Sequence, residues 1–381
     1  MLRGRLDHGA GKPYIPAMVV RVINSLAPAR RARGWSQAQT AAACGVSRQS
    51  YSAIEAGHAV PSAEIALRLG AAFGVPVEEL FRLPDSPQKT VRAGRAWNGL
   101  APGGRVRLAQ VGGRLLAFPL GEGERVLGRA DGVVSSVDGD EVEVVPLPER
   151  PPEPELVVAG CDPAFGVVTN SMRRERSVEI CWMQRASLAA FEALARGEAH
   201  VAGAHLQDPL TGEFNGPWIE RLIPFACTRI RFAAWEQGLL VQPGNPLAIR
   251  SVEDLVRDDM RFLNREPGSG SRALLDERLA SAHVPTERVA GYDTAARGHM
   301  AVAEGIDAGV ADVGIGIRAA GNAFGLHFVP LQVESYELII PNHFLDLPAV
   351  QSLLTTLRVP GIRAQVESLG GYDAERIGLP V

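Results

Sequence analysis

Apolar residues in the first quarter of the chain recur at helical spacing, in short runs separated by serine, glycine or proline. Ser36 and Ser47 stand where a helix N-cap is expected, and Gly45 and Gly57 stand just past the ends of the helices that follow. The pattern predicts five helices, running from Asn24 to Arg33, from Gln37 to Cys44, from a cap at Ser47 to Ala56, from Pro61-Ser62 to near Gly74, and onward from Pro76.

The middle of the chain has a different period. Apolar residues at Val106, Leu108 and Val111 fit a short strand, and Gly112-Gly113 predicts a two-residue hairpin turn. We therefore predict a small β-rich module that connects the two ends of the chain. The predicted organisation is a disordered tail at 1–17, a helical domain at 18–83, a linker at 84–98, the β module at 99–146, a proline-rich linker at 147–155 and a last domain at 156–381.

From residue 156 onward, strand-like apolar runs alternate with helix-periodic stretches. This alternation predicts a mostly parallel sheet wrapped by helices, as one large domain or two lobes. The strand-like runs are Leu156–Ala159, Val178–Met183, His200–Ala204, Arg261–Leu263, Asp312–Ile317 and Tyr336–Ile340. The helical stretches include Ser187–Arg196, Ser271–Ala282 and Ala295–Ala308. The predicted fold class is multidomain: an all-α head, a small β-rich connector and an α/β body.

The composition narrows the class of protein. With 46% hydrophobic and 22% charged residues among 381, the chain has the composition of a soluble globular protein. It shows no long uncharged apolar run and no signal peptide, so we expect a cytoplasmic protein with no membrane partner. Four dispersed cysteines argue against a disulfide framework. Residues 18–83 carry a net charge of +3 and residues 151–381 carry −9, which favours a polyanionic partner for the head.

Residues 34–57 have the anatomy of a helix-turn-helix. Two short helices meet at Gly45, and the second begins with the polar side chains Ser47, Arg48, Gln49 and Ser50. A helix that enters the major groove with its N-terminus first brings such side chains to base edges. Arginine suits guanine and glutamine suits adenine, so Arg48 and Gln49 are the predicted base readers. The remaining predicted DNA contacts are Ser47, Ser50 and Ser52, with Gln37 placed to hold a phosphate.

This segment resembles the Cro/C1-type, or XRE-type, helix-turn-helix family. The matching residues run from Gly34-Trp35-Ser36-Gln37 through Gly45-Val46-Ser47-Arg48-Gln49 to Ile54-Glu55-Ala56-Gly57, followed by Pro61-Ser62 and Phe73-Gly74-Val75. The resemblance covers about 60 residues. It implies a five-helix fold, binding to double-stranded operator DNA and a homodimer on a palindromic site.

In the second half of the chain, loops of small residues repeatedly stand between a strand-like run and a helix. They are Gly160-Cys161-Asp162-Pro163, Gln184-Arg185-Ala186-Ser187, Pro267-Gly268-Ser269-Gly270-Ser271-Arg272 and Asp293-Thr294-Ala295-Ala296. The amides at a helix N-terminus hold anions, and serine or glycine lets a ligand approach closely. Several such loops around one cleft would bind a small anion. We expect that cleft to be a solvent-accessible chamber.

This region resembles the type II periplasmic-binding-protein fold, and more closely its molybdate-binding-like branch. Matching stretches include residues 160–163, 197–208, 235–245, 264–272, 298–303 and 311–317, so the resemblance covers about 156–375. It implies hydroxyls, amides and a tyrosine around a tetrahedral dianion, carried here by Ser187, Ser269, Ser271, Thr294 and Tyr336, with Arg272 as a further candidate anion clamp. Asp162 departs from that pattern, because a carboxylate repels a dianion.

Other motifs suggest no further chemistry. His205, Asp208 and His299 lack the spacing of a metal site, so we expect structural roles and no metal. Gly314-Ile-Gly316-Ile-Arg-Ala319 fits a dinucleotide-binding pattern, but only about 50 residues remain for the strands and helices that must follow it. No nucleophile is visibly paired with a base, so no catalytic residue is predicted.

These observations predict a one-component transcriptional regulator that senses a small anion, with molybdate or tungstate as the first candidate and a small anionic metabolite as the second. No cofactor is expected beyond such a bound oxyanion. Two alternatives remain at this point. One is an enzyme acting on a small anionic metabolite, with an attached regulatory helix-turn-helix. The other is a constitutive DNA-binding protein whose body does not sense a ligand. The β module is open to three interpretations: a plain module, an oxyanion-binding barrel or a dimerising spacer.

Overall fold

The computed structural model describes residues 22–83, 90–97, 99–120, 128–148 and 153–381. Its internal contacts divide the chain into two compact units, Met1–Gln88 and Lys89–Val381. The predicted disordered tail and parts of both predicted linkers lie outside the described residues. Within the described ranges, no helix is long and apolar enough to cross a membrane.

The first unit contains five short helices whose ends agree with the sequence signals. The side chains of Ser36, Ser47 and Ser62 each accept a hydrogen bond from a backbone N–H in the first turn, as N-caps do. Gly74 ends the fourth helix in the left-handed conformation, with a φ of 60°. The helices are α1 Leu26–Ala32, α2 Gln37–Ala43, α3 Arg48–Glu55, α4 Ala63–Phe73 and α5 Val77–Leu80.

A pair of two-residue strands joins the ends of this unit. Ile23–Asn24 (β1) pairs antiparallel with Phe81–Arg82 (β2), which the helical pattern did not predict. The first helix therefore begins at Leu26, later than the predicted Asn24, because Asn24 belongs to β1 and its side chain accepts from Leu26 N and donates to the carbonyl of Ile54. Leu26, Tyr51, Ile54, Leu69 and Phe73 form the buried core between the helices.

The β module is a closed five-stranded barrel with the strand order β3-β5-β4-β6-β7. Its strands are β3 Val91–Arg95, β4 Arg105–Val111, β5 Arg114–Pro119, β6 Gly132–Asp138 and β7 Glu141–Pro146. The Gly112-Gly113 hairpin is confirmed, since both glycines have positive φ and β4 pairs with β5. The boundary prediction is wrong at one point: β3 lies in the segment interpreted as a linker. Apolar side chains such as Val106, Ala117 and Val144 fill the barrel interior, which favours a structural module over a ligand-holding one.

The α/β body follows the barrel in the same unit. Its strands are β8 Leu156–Gly160, β9 Ile180–Gln184, β10 Val201–Ala204, β11 Cys227–Val241, β12 Phe262–Arg265, β13 Ala295–Ala296, β14 Val313–Ile317, β15 His327–Pro341 and β16 Tyr372–Asp373. Its helices are α6 Phe165–Arg176, α7 Ser187–Ala195, α8 Gly216–Leu222, α9 Gly270–Ser281, α10 His299–Asp307, α11 Arg318–Ala323, α12 Pro348–Leu357 and α13 Pro360–Glu367. Short 3₁₀ turns lie at Val252–Val256, Thr286–Arg288 and Asn342–Phe344.

The sheet of the body is mixed, which corrects the prediction of a mostly parallel sheet. Parallel pairing is confined to β8, β9 and β10 at one end, here called the first lobe, and to β12, β13 and β14 at the other end, the second lobe. The strands β11 and β15, of 15 residues each, pair antiparallel along their length and connect the two lobes. The sequence pattern identified only the last residues of β15 and missed β11.

The barrel packs on the first lobe. Ala109, Leu116 and Phe118 share one hydrophobic cluster with Val157 and Phe191 of the body. The guanidinium of Arg185, in the loop between β9 and α7, stacks 3.5 Å from the centre of the Trp97 ring. The barrel and the first lobe therefore share a continuous core.

Candidate functional site

The start of α3 is exposed as a DNA-reading helix requires. Arg48, Gln49 and Ser50 are exposed and Ser52 is half-buried. Ser47 caps the helix by accepting from the N–H of Ser50, and the two hydroxyls lie 2.9 Å apart. Ser47 and Ser50 thus already have a structural role, while Arg48 and Gln49 extend from the first turn.

A partly buried carboxylate connects the first three helices of the unit. Glu55, at the end of α3, accepts from Arg30 Nε at 2.7 Å, from Gln37 Nε2 at 2.6 Å and from the Tyr51 hydroxyl at 3.1 Å. Burial opposes the charge of Glu55, but these donors outweigh it and lower the pKa of that carboxyl. The predicted phosphate contact of Gln37 stays a prediction, and its side-chain amide is already bonded to Glu55.

In the body, polar side chains from both lobes and both connecting strands meet in one buried group, which we call the inter-lobe cluster. The cluster consists of Cys161, Asp162, His205, Trp235, Gln237, Arg265, Ser271, His299, Glu334 and Tyr336, each less than 8% exposed. Two surface pockets of about 140 and 160 Å³, beside Asp312 and beside Arg92, contain none of these residues. The cluster residues are nearly inaccessible to solvent, so the expected solvent-accessible chamber is not open at this position in the structure.

His205, just after β10, lies at the centre of the cluster. Its Nδ1 donates to Glu334 Oε2 at 2.7 Å, and its Nε2 lies 3.5 Å from Cys161 Sγ. Glu334 Oε2 also accepts from Trp235 Nε1 at 3.3 Å and Gln237 Nε2 at 3.0 Å. Burial alone would lower the pKa of His205, but Cys161 and Glu334 outweigh it and raise that pKa to about 10. The imidazole is therefore a cation at neutral pH.

Arg265, at the end of β12, fixes the tautomer of His299. It binds Glu266 through Nε at 2.8 Å and Nη2 at 3.0 Å, and its Nη1 lies 2.8 Å from His299 Nδ1. Since a guanidinium only donates, Nδ1 of His299 accepts and the ring proton sits on Nε2. Burial, then the charges of Arg265 and His205, hold the pKa of His299 well below its ordinary value, so the ring is neutral.

Asp162 lies just before α6, and the hydroxyl of Tyr336, on β15, reaches the same place. Asp162 Oδ1 accepts from the N–H of Ala164 at 2.8 Å and from the Tyr372 hydroxyl at 2.6 Å. Burial raises the pKa of Asp162 to about 7, even though these two donors lower it. The Tyr336 hydroxyl accepts from the N–H groups of Cys161 and Asp162 at 3.2 and 3.4 Å. The amides expected to cradle an anion here are therefore occupied by Tyr336.

The structure brings most of the predicted ligand residues to the cluster. Ser187 Oγ accepts from the N–H of His205 at 3.2 Å, and Ser269 caps α9 by accepting from Arg272 N. Two predicted residues do not join the cluster. Arg272 binds Asp276 and lies over the ring of Tyr292, and Thr294 is exposed. The small-residue loop before α9 is still required, because a Cβ at Gly270 would overlap the imidazole of His205.

The cluster collects unpartnered polar atoms. Among the described residues, seven buried side-chain nitrogens and oxygens have no hydrogen-bond partner, and three of those are arginine Nε atoms elsewhere. The other four all belong to the cluster: Asp162 Oδ2, Gln237 Oε1, Ser271 Oγ and His299 Nε2. Leaving a buried polar atom unpartnered costs about 1–3 kcal/mol, so a concentration of four in one place is typical of a binding site.

The cluster also contains the residue types of a metal site, although the sequence predicts none. The ligand atoms of Cys161, His205 and His299 lie within 4.8 Å of one another. However, Nδ1 of His299 already accepts from Arg265 and its Nε2 carries the ring proton. His299 therefore has no lone pair to offer, and the arrangement suits a hydrogen-bonding ligand better than a metal ion.

Sequence reasoning missed Arg265, Cys161 and Glu334 as site residues. Glu334 and Tyr336 lie two apart on β15, so they share one face of the strand, and Glu334 is paired with Trp235 on β11. A carboxylate two residues before a tyrosine in a buried strand is the sequence signal that could have identified Glu334 as a site residue. Asp208, considered for a metal, instead binds Arg221 and caps the following loop at Leu210 and Thr211.

Two family models match the chain. The model described as PBP superfamily domain matches residues 168–358, which is half of the chain, and the helix-turn-helix model matches residues 29–80. The chain belongs to the PBP superfamily. Its first unit is an XRE-type helix-turn-helix, as the resemblance implied, and its multidomain fold class is confirmed.

This PBP superfamily member is also similar to two uncharacterized proteins and, at lower identity, to solved structures. The uncharacterized protein YvgK of Bacillus subtilis (strain 168) is 31% identical over 230 residues, which are 59% of this chain and 73% of YvgK. An uncharacterized protein in the ferredoxin 2Fe-2S gene 5' region of Clostridium pasteurianum is 32% identical over 106 residues, 28% of this chain and 94% of that protein. The tungstate ABC transporter from Geobacter sulfurreducens is 14% identical, with a TM-score of 0.44 over 56% of this chain and 97% of its own. The sulfate-binding protein SubI from Mycobacterium tuberculosis H37Rv is 18% identical, with a TM-score of 0.41 over 57% and 85%.

Proposed function

We propose that this chain is a one-component transcriptional regulator that binds operator DNA as a homodimer and responds to a small anionic ligand. The observation that carries the proposal is the joint presence of a helix-turn-helix and of four unpartnered buried polar atoms in the PBP-like body. A body that did not sense a ligand would be expected to fill this interior with apolar side chains. The interior is polar instead, which argues against a constitutive DNA-binding protein with an inert body.

The ligand is proposed to bind at the inter-lobe cluster. The cations His205 and Arg265 lie there, each paired with a carboxylate, and the unpartnered Nε2 proton of His299 supplies a free donor. Donors of this kind favour an anion. Molybdate and tungstate are the first candidates from the sequence, and small anionic metabolites are the second.

The proposed mechanism is a shift between two arrangements of the lobes. Asp162 belongs to the first lobe, whereas Ser271 and His299 belong to the second. A ligand that bonds to all three residues is held by both lobes, so it favours the arrangement in which they are close. Such a ligand can switch DNA binding only if its affinity differs between the two arrangements.

The test begins with the full-length protein and a selection from random DNA to define its operator. A ligand panel of molybdate, tungstate, sulfate and small organic acids is then screened by thermal shift. A ligand at 100 times its dissociation constant should add about 2.7 kcal/mol to the free energy of unfolding. The same ligand should change the affinity for the operator. A protein that selects no sequence, or that binds its operator equally with and without every stabilising ligand, would contradict the proposal.

An enzyme is the second candidate function, and one observation favours it. Contrary to the expectation from the sequence, Cys161, His205 and Glu334 form a thiol, imidazole and carboxylate in line, as in sites that activate a nucleophile. However, His205 holds its proton up to about pH 10, which makes it a poor general base at neutral pH. Consumption of a panel ligand by the wild type, and its loss in Cys161→Ala, would favour the enzyme over the sensor.

A further inference from the structure

The unpartnered atoms of the inter-lobe cluster include both hydrogen-bond donors and hydrogen-bond acceptors. His299 Nε2 is a donor, because Arg265 occupies the other ring nitrogen of His299. The Ser271 hydroxyl can donate or accept. Both belong to the second lobe, at the starts of α10 and α9. This side of the cluster therefore suits the oxygen atoms of an anion.

The other two atoms are acceptors. Asp162 Oδ1 is already used by Ala164 N–H and the Tyr372 hydroxyl, which leaves Oδ2 unpartnered. The side-chain amide of Gln237 must direct Nε2 to the Glu334 carboxylate, which only accepts, so its unpartnered Oε1 is also an acceptor. Protonation could convert Asp162 into a donor, but Gln237 Oε1 remains an acceptor at every pH.

The residues that carry the four atoms lie on segments that contact His205 or its hydrogen-bond partner Glu334. Asp162 follows Cys161, whose Sγ lies 3.5 Å from His205 Nε2, and Ser271 follows Gly270, whose backbone packs against the ring. The ring centres of His205 and His299 are 6.2 Å apart. Gln237 bonds to Glu334, the carboxylate that holds His205. One small molecule is therefore expected to meet donors and acceptors together.

We infer that the ligand is a small anion that carries its own O–H donor, such as a hydroxycarboxylate or hydrogen phosphate, and not a fully ionised tetrahedral dianion. This inference rests on the proposed ligand-sensing function and narrows its ligand. Molybdate, tungstate and sulfate carry no proton at neutral pH, so each would leave Gln237 Oε1 unpartnered, and above pH 7, where Asp162 is ionised, Asp162 Oδ2 as well. Each unpartnered acceptor is expected to weaken binding by about tenfold or more.

The test compares ligands that differ in the donor, by isothermal titration of the full-length protein without DNA at a pH above 7, where Asp162 is ionised. The organic pairs are glycolate with acetate and malate with succinate. Phosphate is compared with sulfate, molybdate and tungstate. The two sets of titrations therefore show whether the donor-bearing anion is organic or inorganic. We expect the donor-bearing member of at least one pair to bind at least tenfold more tightly. Equal or tighter binding of the donor-free member, or no binding by any member, would overturn the inference.

Asp162→Asn should invert this selectivity. The Asn oxygen must keep accepting from Ala164 N–H and Tyr372, so its NH₂ group takes the place of Oδ2 and converts an acceptor into a donor. Donor-bearing ligands should weaken at least tenfold, and sulfate or molybdate should gain affinity. Asp346→Asn, at an exposed position, is the control and should change neither. Loss of affinity for both members of a pair in Asp162→Asn would contradict the assigned role of Asp162.

Ser271→Ala provides a second measurement that does not depend on Asp162. It removes a hydroxyl from the anion side of the cluster, so it should weaken both members of a pair by the same factor. A loss confined to the donor-bearing member would overturn the assignment of donors to the second lobe. The sensor proposal can fail independently of this inference. A ligand that binds as expected but leaves operator affinity unchanged would contradict the sensing function and would still agree with the inferred ligand class.

Discussion

Asp162 is a carboxylic acid in a place where its charge is costly. Its pKa is about 7 in the folded protein, against an ordinary value of 3.8, because burial outweighs its two hydrogen bonds. Between these pH values the folded state binds more protons than the unfolded state, so the stability due to this group is greatest below pH 4 and is lost as the pH rises through 7. Above pH 7, the buried charge of Asp162 lowers the free energy of unfolding by about 4 kcal/mol.

Asp162→Asn should therefore stabilise the ligand-free protein in a pH-dependent way. The free energy of unfolding of the variant, relative to the wild type, should rise by about 1.4 kcal/mol per pH unit between pH 4 and 7 and then level off. Urea unfolding of both proteins across this range measures it. Two curves that stay parallel from pH 4 to pH 8 would show that Asp162 does not titrate as described.

Much of the residue-level chemistry is invisible in the sequence because it depends on partners far along the chain. Asp162 is joined to Tyr372 and His205 to Glu334 across more than 120 positions. The positions of Ser187, Ser269 and Ser271 near the cluster could be predicted because each stands at the start of a helix, where the local pattern suffices. Arg272 and Thr294 satisfied the same local pattern but do not join the cluster, since packing sets the direction of a side chain.

At the scale of elements, the helix-turn-helix depends on one carboxylate. Glu55 is partly buried and accepts from α1, α2 and α3, whereas Glu64 on α4 forms an exposed pair with Arg68. Removing one partner of a fully buried pair costs about 3–5 kcal/mol and an exposed pair contributes about 0–1 kcal/mol, so the cost for Glu55 is expected between these values. Glu55→Ala should thus lower hydrogen-exchange protection throughout α1 to α3, and Glu64→Ala should leave it nearly unchanged. Equal protection in both variants would contradict the role of Glu55.

The start of α3 carries the prediction for DNA recognition. Arg48 and Gln49 are exposed, and side chains at this position read base edges when a helix enters the major groove. Replacing either with alanine should weaken binding to the selected operator by about 1–3 kcal/mol and relax base preference at one position. Fluorescence anisotropy with operator and scrambled DNA measures both effects. The same loss on both DNAs would assign Arg48 and Gln49 to phosphates.

Elements bounded by local signals could be predicted, and elements defined by long-range pairing could not. Serine caps and terminal glycines placed α2, α3 and α4 to within one or two residues. The strand β11 carries Arg229, Arg231 and Glu236 among its apolar residues, so it lacks the run that marks a buried strand, and its partner β15 stabilises it. Likewise β3 reads as a linker because it contains Arg92, Gly94 and Arg95, and only barrel closure makes it a strand.

At the scale of the whole molecule, the order of domains and the charge difference between them were visible in the sequence. The filling of the interior by the side chains of the inter-lobe cluster was not visible in the sequence. A loop motif indicates that a site can form, but it does not indicate which side chains pack there. The inter-lobe cluster is joined to the barrel through the loop between β9 and α7, which carries Arg185 against Trp97 and leads into Ser187. A change at the cluster can therefore be transmitted to the barrel by continuous packing.

If ligand and DNA sites are coupled through this molecule, the coupling must be reciprocal. A ligand that changes operator affinity by some factor must have its own affinity changed by the same factor when the operator is bound, and factors of about 5 to 150 are usual. Isothermal titration of the ligand with and without operator, and anisotropy of the operator with and without ligand, should give one number. In Arg48→Ala, which leaves the cluster intact, a given concentration of operator just sufficient to saturate the wild type should change ligand affinity less than it does in the wild type. A factor of one in both titrations would mean that ligand and operator do not bias the same pair of states. The proposed shift between two arrangements of the lobes would then be wrong, even if the ligand and the operator both bind.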